Sequence, residues 1–193
     1  FVMPDIMITA NSQTKSDTLS GGDRIFIECA KRWAQKGHCI SIITCREGYE
    51  MCQRYDLKNA SYYIASPKRM LPLYMLYILR VVKGCILALR LKLDARNTVV
   101  YSSSDFWPDS IPSWVLKMRF GKIRWVAGFY LFVSSPFSMD SPYRGKLAFR
   151  GFLYYFSQIP IYSLVKRCAD MVFVTGELDR GRFIDNKRLT PDK

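Results

Sequence analysis

The stretch LSGGDRIFIECAKRWAQKGHCISIIT, Leu19 to Thr44, constrains this chain more than any other. It reads as a glycine turn, one amphipathic helix, a Gly-His turn and a buried strand. Ser20 can cap the helix, with Asp23 three residues on as a short-armed capping box. Ile25, Phe26, Cys29, Ala30, Trp33 and Ala34 recur at helical spacing and form one buried face. Glu28 stands four residues before Arg32 on the solvent face. Gly37 ends the helix. Upstream, Ile6 to Ala10 is a short apolar run that predicts a strand buried on both faces. Strand, helix, strand in so short a span is a βαβ unit, and its strands should be parallel.

The same alternation continues down the chain. A short helix is expected over Tyr49 to Tyr55 and a strand over Ala60 to Ala65. A long helical segment follows from Lys68 to Leu93, then a strand over Thr98 to Tyr101 that ends in the polar cluster Ser102 to Asp105. Ser110 to Phe120 reads as a helix with Pro112 in its first turn. Ile123 to Ala127 reads as a strand and Phe129 to Pro142 as a loop. Lys146 to Ala169 reads as a helix kinked at Pro160. Met171 to Val174 is the last strand, before a short helix over Glu177 to Phe183. The fold class is α/β: a Rossmann-like, open, mostly parallel sheet of six to seven strands with helices on both faces.

Charge bears on partners. The chain has 193 residues and a formal net charge of +13, and residues 61–193 carry nearly all of the excess. A basic surface of that kind suits a polyanion: an anionic bilayer, nucleic acid or a phosphorylated substrate. The six cysteines show no metal-ligand spacing and are expected as small core residues of a reducing compartment. No metal site is expected. His38 is the single histidine and is expected to be structural.

The Ser20-Gly21-Gly22 turn opens a helix, where free N–H groups favour phosphate. It is neither the dinucleotide fingerprint nor a P-loop. With the helix behind it, Lys36-Gly37-His38 and the strand ending in Thr44, it resembles the opening of the family 4 retaining glycosyltransferases. Val99-Val100-Tyr101-Ser102 and Ile123-Arg124-Trp125-Val126 look like that family's acceptor-side sheet. Ala169-Asp170-Met171-Val172-Phe173-Val174-Thr175 looks like the last strand of its N-terminal domain, and Leu189-Thr190-Pro191-Asp192-Lys193 the approach to its hinge. A histidine often found after the fifth strand is replaced by Gly128-Phe129-Tyr130.

The resemblance implies one half of a GT-B fold. Residues 1–184 would be the acceptor-binding domain and residues 185–193 the start of an interdomain linker. The nucleotide-sugar domain, with its E-x7-E motif, is expected beyond this chain, which should be inactive alone. The implied reaction moves a sugar from a nucleotide sugar to a lipid-linked or glycan acceptor, with no cofactor besides that donor substrate. Gly21 and Gly22 would contact donor phosphate. Ser103, Asp105, Trp107, Phe129 and Tyr130 would line the acceptor cleft, because open α/β sheets place ligands at the carboxyl ends of strands. Thr175 and Glu177 would face the hinge.

Two basic stretches suggest a surface partner. Lys68, Arg69, Arg80, Lys83 and Arg90 fall on one face of a helix that is otherwise apolar, and are too many for a membrane span. Arg144, Lys146 and Arg150 are interleaved with aromatics between Phe129 and Phe156. Contact with an anionic membrane at the cytoplasmic inner face is expected, while packing on the missing domain also fits these residues. Nucleic acid is not the expected partner, although a non-catalytic basic α/β module binding membrane or nucleic acid is the alternative reading.

Overall fold

A computed structural model describes residues 3–13, 19–66, 72–135 and 148–184. Strands and helices alternate along the chain: β1 (Asp5–Ala10), α1 (Gly21–Gln35), β2 (Ile40–Thr44), α2 (Arg46–Arg54), β3 (Ser61–Ile64), α3 (Leu73–Arg90), β4 (Thr98–Ser102), α4 (Trp107–Phe120), β5 (Arg124–Gly128), α5 (Ala148–Cys168), β6 (Met171–Phe173) and α6 (Glu177–Ile184). The six strands form one parallel sheet in the order β3-β2-β1-β4-β5-β6. The fold is thus the Rossmann-like, open parallel sheet expected from the sequence, with helices on both faces.

Strand β1 is central because both its faces are covered. Ile8 pairs with Ile42 on one side and Tyr101 on the other. The sheet grows outward from β1 in two directions, so right-handed crossovers put α1 and α2 on one face and α3, α4 and α5 on the other. Phe26, Ile27 and Ala30 of α1 and Cys52 of α2 pack on one face with Ile6, Ile8 and Ile42. Ala88 of α3, Leu116 of α4 and Ile161 and Val165 of α5 pack on the other with Met7, Ile43, Val100 and Trp125. Trp125 is fully buried and its indole N–H donates to Ser102 Oγ at 3.1 Å. Burial of each such side chain contributes ~1.5–3 kcal/mol.

The signals that bound α1 are local ones. Ser20 Oγ accepts from Asp23 N, and the Asp23 carboxylate accepts from Ser20 N, which is the reciprocal box. At the other end Gly37 takes φ +92°. Gly37 N donates to Ala34 O and His38 N to Trp33 O, so the last carbonyls are satisfied by a Schellman turn. Ile27 is buried as well as Phe26 and Ala30, and Glu28 pairs with Lys31 at 3.4 Å rather than with Arg32.

Two expectations change, while α5 is helical as expected, with Pro160 inside it. Helix α4 begins at Trp107, with Pro108 in its first turn, and Pro112 lies inside the helix and buried. A Cβ at Gly84 would come within 2.8 Å of the Pro112 ring, so that glycine lets α3 and α4 approach. Of the cysteines, Cys45 and Cys52 are buried, but Cys39 is exposed at the polar turn before β2.

Candidate functional site

The strand order reverses between β1 and β4, and the carboxyl ends of these two strands open a crevice there. A cavity of about 360 Å³ occupies it. Ser12 and Gln13 follow β1, Ser103 to Phe106 follow β4, Tyr130 and Leu131 follow β5, Ser20, Gly22 and Asp23 come from the start of α1, and Tyr154 comes from α5. The lining is made of hydroxyls, two carboxylates, an amide and aromatic rings. Among the described residues that line it there is no lysine or arginine.

The floor of the cavity is built around Asp109, in the first turn of α4. Its carboxylate is wholly buried. It accepts from the backbone N–H of Asn11 at 2.6 Å and from the hydroxyls of Ser12 (2.8 Å), Ser103 (3.1 Å) and Ser104 (2.5 Å). Burial pushes its pKa up to about 6, and these hydrogen bonds oppose that rise without cancelling it. Thr9 Oγ1 also donates to the Asp109 carbonyl at 2.7 Å, so the end of β1 is fastened to the start of α4.

Asp105 reaches the cavity from the β4 loop. Gln158 of α5 donates to its carboxylate at 2.7 Å and to the Leu131 carbonyl at 2.7 Å, and accepts from Val133 N at 3.0 Å. The Tyr154 hydroxyl lies 3.5 Å from the same carboxylate, and the Tyr154 ring stacks on Phe106 with centroids 5.1 Å apart. Burial raises the Asp105 pKa above the usual carboxylate value. Asp105 is therefore a fixed hydrogen-bond acceptor beside two aromatic faces.

Tyr130 forms another wall. Its hydroxyl bonds that of Tyr101, and burial pushes its pKa up to about 12, so it stays a neutral donor. A Cβ at Gly22 would meet the Tyr130 ring at 3.2 Å, and one at Gly128 would meet the Tyr130 hydroxyl at 2.6 Å. The glycines of the α1 turn and of the β5 end thus make room for this ring.

The residues expected at the site divide accordingly. Ser103, Asp105, Tyr130 and Gly22 line the cavity, whereas Gly21 is exposed beside it. The Asp23 carboxylate sits at the same helix start, so an anion brought to Gly21 and Gly22 would meet a negative charge. Trp107 does not line the cavity. Its indole N–H donates to Ser157 O at 2.8 Å and its ring packs into the core under α4. Phe129 is fully buried against Phe132 and Phe183, because it continues the inward alternation of Trp125 and Ala127 beyond β5. Thr175 and Glu177 lie outside: Thr175 Oγ1 donates to Tyr130 O at 2.7 Å, and Glu177 pairs with Arg180 at 3.2 Å.

The expected membrane-contact cations are not one exposed face. Arg80 is only 3% exposed. Its guanidinium donates to Gln13 O at 2.6 Å and to the Glu47 carboxylate at 2.7 Å, so it braces the loop after β1 against α2. Lys83 is half-buried and donates to Ser66 O at 2.8 Å, while Arg90 is exposed. Lys68, Arg69, Arg144 and Lys146 fall outside the described residues, as does the side chain of Arg150. His38 bonds Pro4 O through Nδ1 at 2.7 Å, at the amino ends of the strands and away from the cavity.

Sequence reading missed Asp109, Ser104, Phe106, Tyr154 and Gln158. The signal for Asp109 was the Trp107-Pro108-Asp109 start of α4, which marks a helix N-terminus once Pro108 rather than Pro112 is taken as the first-turn proline.

No family model matches this chain, and no curated protein matches it. Among solved structures it is similar to MurG of Acinetobacter baumannii, at 16% identity and a TM-score of 0.49. The alignment covers 91% of this chain and 41% of that one.

Proposed function

We propose that this chain is the acceptor-side domain of a GT-B glycosyltransferase, of the retaining type its sequence resembles. It would work with a second domain that holds the nucleotide sugar. The observation that carries the proposal is the switch-point cavity, lined by serines, carboxylates and aromatics without a lining cation among the described residues. Carboxylates and hydroxyls accept and donate in the pattern a sugar or polyol needs, and flat rings cover its C–H faces.

In this reading Asp105 accepts a hydrogen bond from one acceptor hydroxyl. Ser103 and Tyr130 hold neighbouring groups, and Phe106 and Tyr154 form the apolar wall. During transfer the acceptor oxygen bonds the anomeric carbon of the donor sugar, the bond from that carbon to the diphosphate breaks, and the acceptor proton leaves with the phosphate. The site's task is positioning. The two carboxylates make the cavity a poor seat for the donor's phosphates, so the phosphate contact expected of Gly21 and Gly22 is left out of this reading. The acceptor is a lipid-linked sugar or a glycan.

Saturation-transfer NMR on the chain tests the reading, with alkyl glycosides, nucleotide sugars and an oligonucleotide as probes. Glycosides should give transfer, lost on Asp105→Asn; nucleotide sugars should bind weakly, and the chain by itself should turn none over. Oligonucleotide binding without glycoside binding would overturn it.

A further inference from the structure

The cavity is acidic in a basic chain. The sequence carries a formal net charge of +13, yet Asp23 and Asp105 stand in the cavity lining and Asp109 in its floor, with no lysine or arginine among the described lining residues. Asp105 and Asp109 are buried, and among the described residues neither has a cationic side chain within ion-pair distance. Their partners are neutral donors: Gln158 and Tyr154 for Asp105, one backbone N–H and three hydroxyls for Asp109. Buried carboxylates are ordinarily paired with a cation or a metal, because an uncompensated charge is costly to bury.

Hydrogen-bond polarity points the same way. The hydroxyl protons of Ser12, Ser103 and Ser104 are committed to Asp109, and that of Ser20 to Asp23. What these serines have left for a ligand is oxygen lone pairs. Gln158 and Tyr154 both donate to Asp105 Oδ2, so among the described residues Oδ1 takes no side-chain donor. The lining is thus rich in acceptors, and its ligand must bring donors. An ammonium group brings three N–H donors and no acceptor, whereas a hydroxyl brings one donor. The stacked Phe106 and Tyr154 rings favour a cation too, through the negative charge of their faces. Among the described residues no three His, Cys, Asp or Glu side chains are placed to hold a metal ion, which points to an organic cation.

We propose that the acceptor this cavity takes is an amino sugar with its amine free, the ammonium seated on Asp105 beside the Ser12 and Ser103 oxygens and facing the Phe106 and Tyr154 rings. The inference rests on the reading of the cavity as an acceptor site and narrows the acceptor. The ammonium supplies the counter-charge that the buried carboxylates lack. It anchors the sugar and takes no part in bond making, so a neighbouring hydroxyl of the same sugar remains the group that receives the transferred one. Asp23 adds a second negative charge at the rim and strengthens the preference without touching the reacting atoms.

The test is titration of the full chain near neutral pH, followed by saturation-transfer NMR, with methyl glucosaminide, its N-acetyl form and methyl glucoside, each also as the galacto isomer. The free amine should bind about tenfold more tightly than either neutral glycoside, and raising salt should shrink the difference. Asp23→Asn, which keeps a polar side chain in the capping box, should lower that ratio about threefold. Asp56→Asn removes the same charge at an exposed turn beyond the opposite end of the sheet and should leave the ratio unchanged. Equal affinity for the amine and the neutral glycosides overturns the inference and leaves the acceptor reading standing. Binding of no glycoside at all overturns both. Displacement of the glucosaminide by millimolar magnesium, beyond that by sodium chloride of equal ionic strength, assigns the counter-charge to a metal and overturns the inference as well.

Discussion

The backbone N–H of Asn11 donates to the Asp109 carboxylate at 2.6 Å across 98 residues of sequence. That bond, with those from Ser12, Ser103 and Ser104, makes one buried acid the common anchor of the loops after β1 and β4. The cavity between these loops keeps its shape only while the anchor holds.

Asp109 should therefore make stability depend on pH in a specific direction. Its folded pKa, about 6, lies above the value of a free carboxyl, 3.8. Folding favours the protonated form, so its contribution is fully present below the unfolded pKa and is lost as pH rises through the folded one. Asp109→Asn cannot titrate. Between about pH 4 and about pH 7 the stability of the native chain relative to this variant should fall by of order 2 to 3 kcal/mol. Urea unfolding of both proteins across that range measures it. A difference that stays constant with pH would mean the buried carboxyl does not titrate as its surroundings require.

Why Asp109 was not legible, while Ser103 and Asp105 were, has a physical reason. The latter two sit at the end of a strand whose apolar run announces itself, and the rule that ligands meet carboxyl strand ends points to them. Asp109 lies in the first turn of a helix whose start the Pro112 signal suggests three residues late, because Pro112 is tolerated in the α4 interior against Gly84. The βαβ opening was read nearly residue by residue, since Ser20, Asp23 and Gly37 act through neighbours three or four positions away. Arg80 could not be read this way. Its partners are 67 and 33 residues distant, and helical periodicity alone put it on a solvent face. The strand-end rule points Phe129 to the cleft, but period-two alternation from Trp125 and Ala127 turns it inward.

Arg80 braces the loop after β1 at Gln13, two residues on from the Asn11 bond to Asp109. Its buried guanidinium has the Gln13 carbonyl and the Glu47 carboxylate as partners at 2.6 and 2.7 Å. Arg80→Met keeps much of the stem but takes the cation from the Glu47 carboxylate and leaves the Gln13 carbonyl only the weak Cys45 thiol donor, and should cost about 2–4 kcal/mol. Glu47→Gln retains an acceptor and lies nearer solvent, so it should cost less, about 1 kcal/mol. The denaturant midpoint should move in that order with an unchanged slope. An Arg80→Met protein as stable as wild type would show that the ion pair does not brace the loop.

Gly22 and Gly128 frame Tyr130 from two sides, and alanine at the two positions should separate a soft contact from a hard one. At Gly22 a new methyl meets only the Tyr130 ring, at 3.2 and 3.4 Å. The ring can give by a few tenths of an ångström, so Gly22→Ala in the first turn of α1 should be close to neutral in stability while narrowing the cavity. At Gly128 the methyl meets the Tyr130 hydroxyl at 2.6 Å and the Ser102 backbone carbonyl at 2.9 Å. A side chain can move but the β4 backbone cannot without breaking its pairing with β5, so Gly128→Ala should cost about 1–3 kcal/mol. Adding Tyr130→Ala should recover part of that loss and not all, because the Ser102 carbonyl stays in place. Thermal melting of the single and double variants measures the coupling. Full recovery in the double variant would show that Tyr130 alone, and not the strand, requires a glycine there.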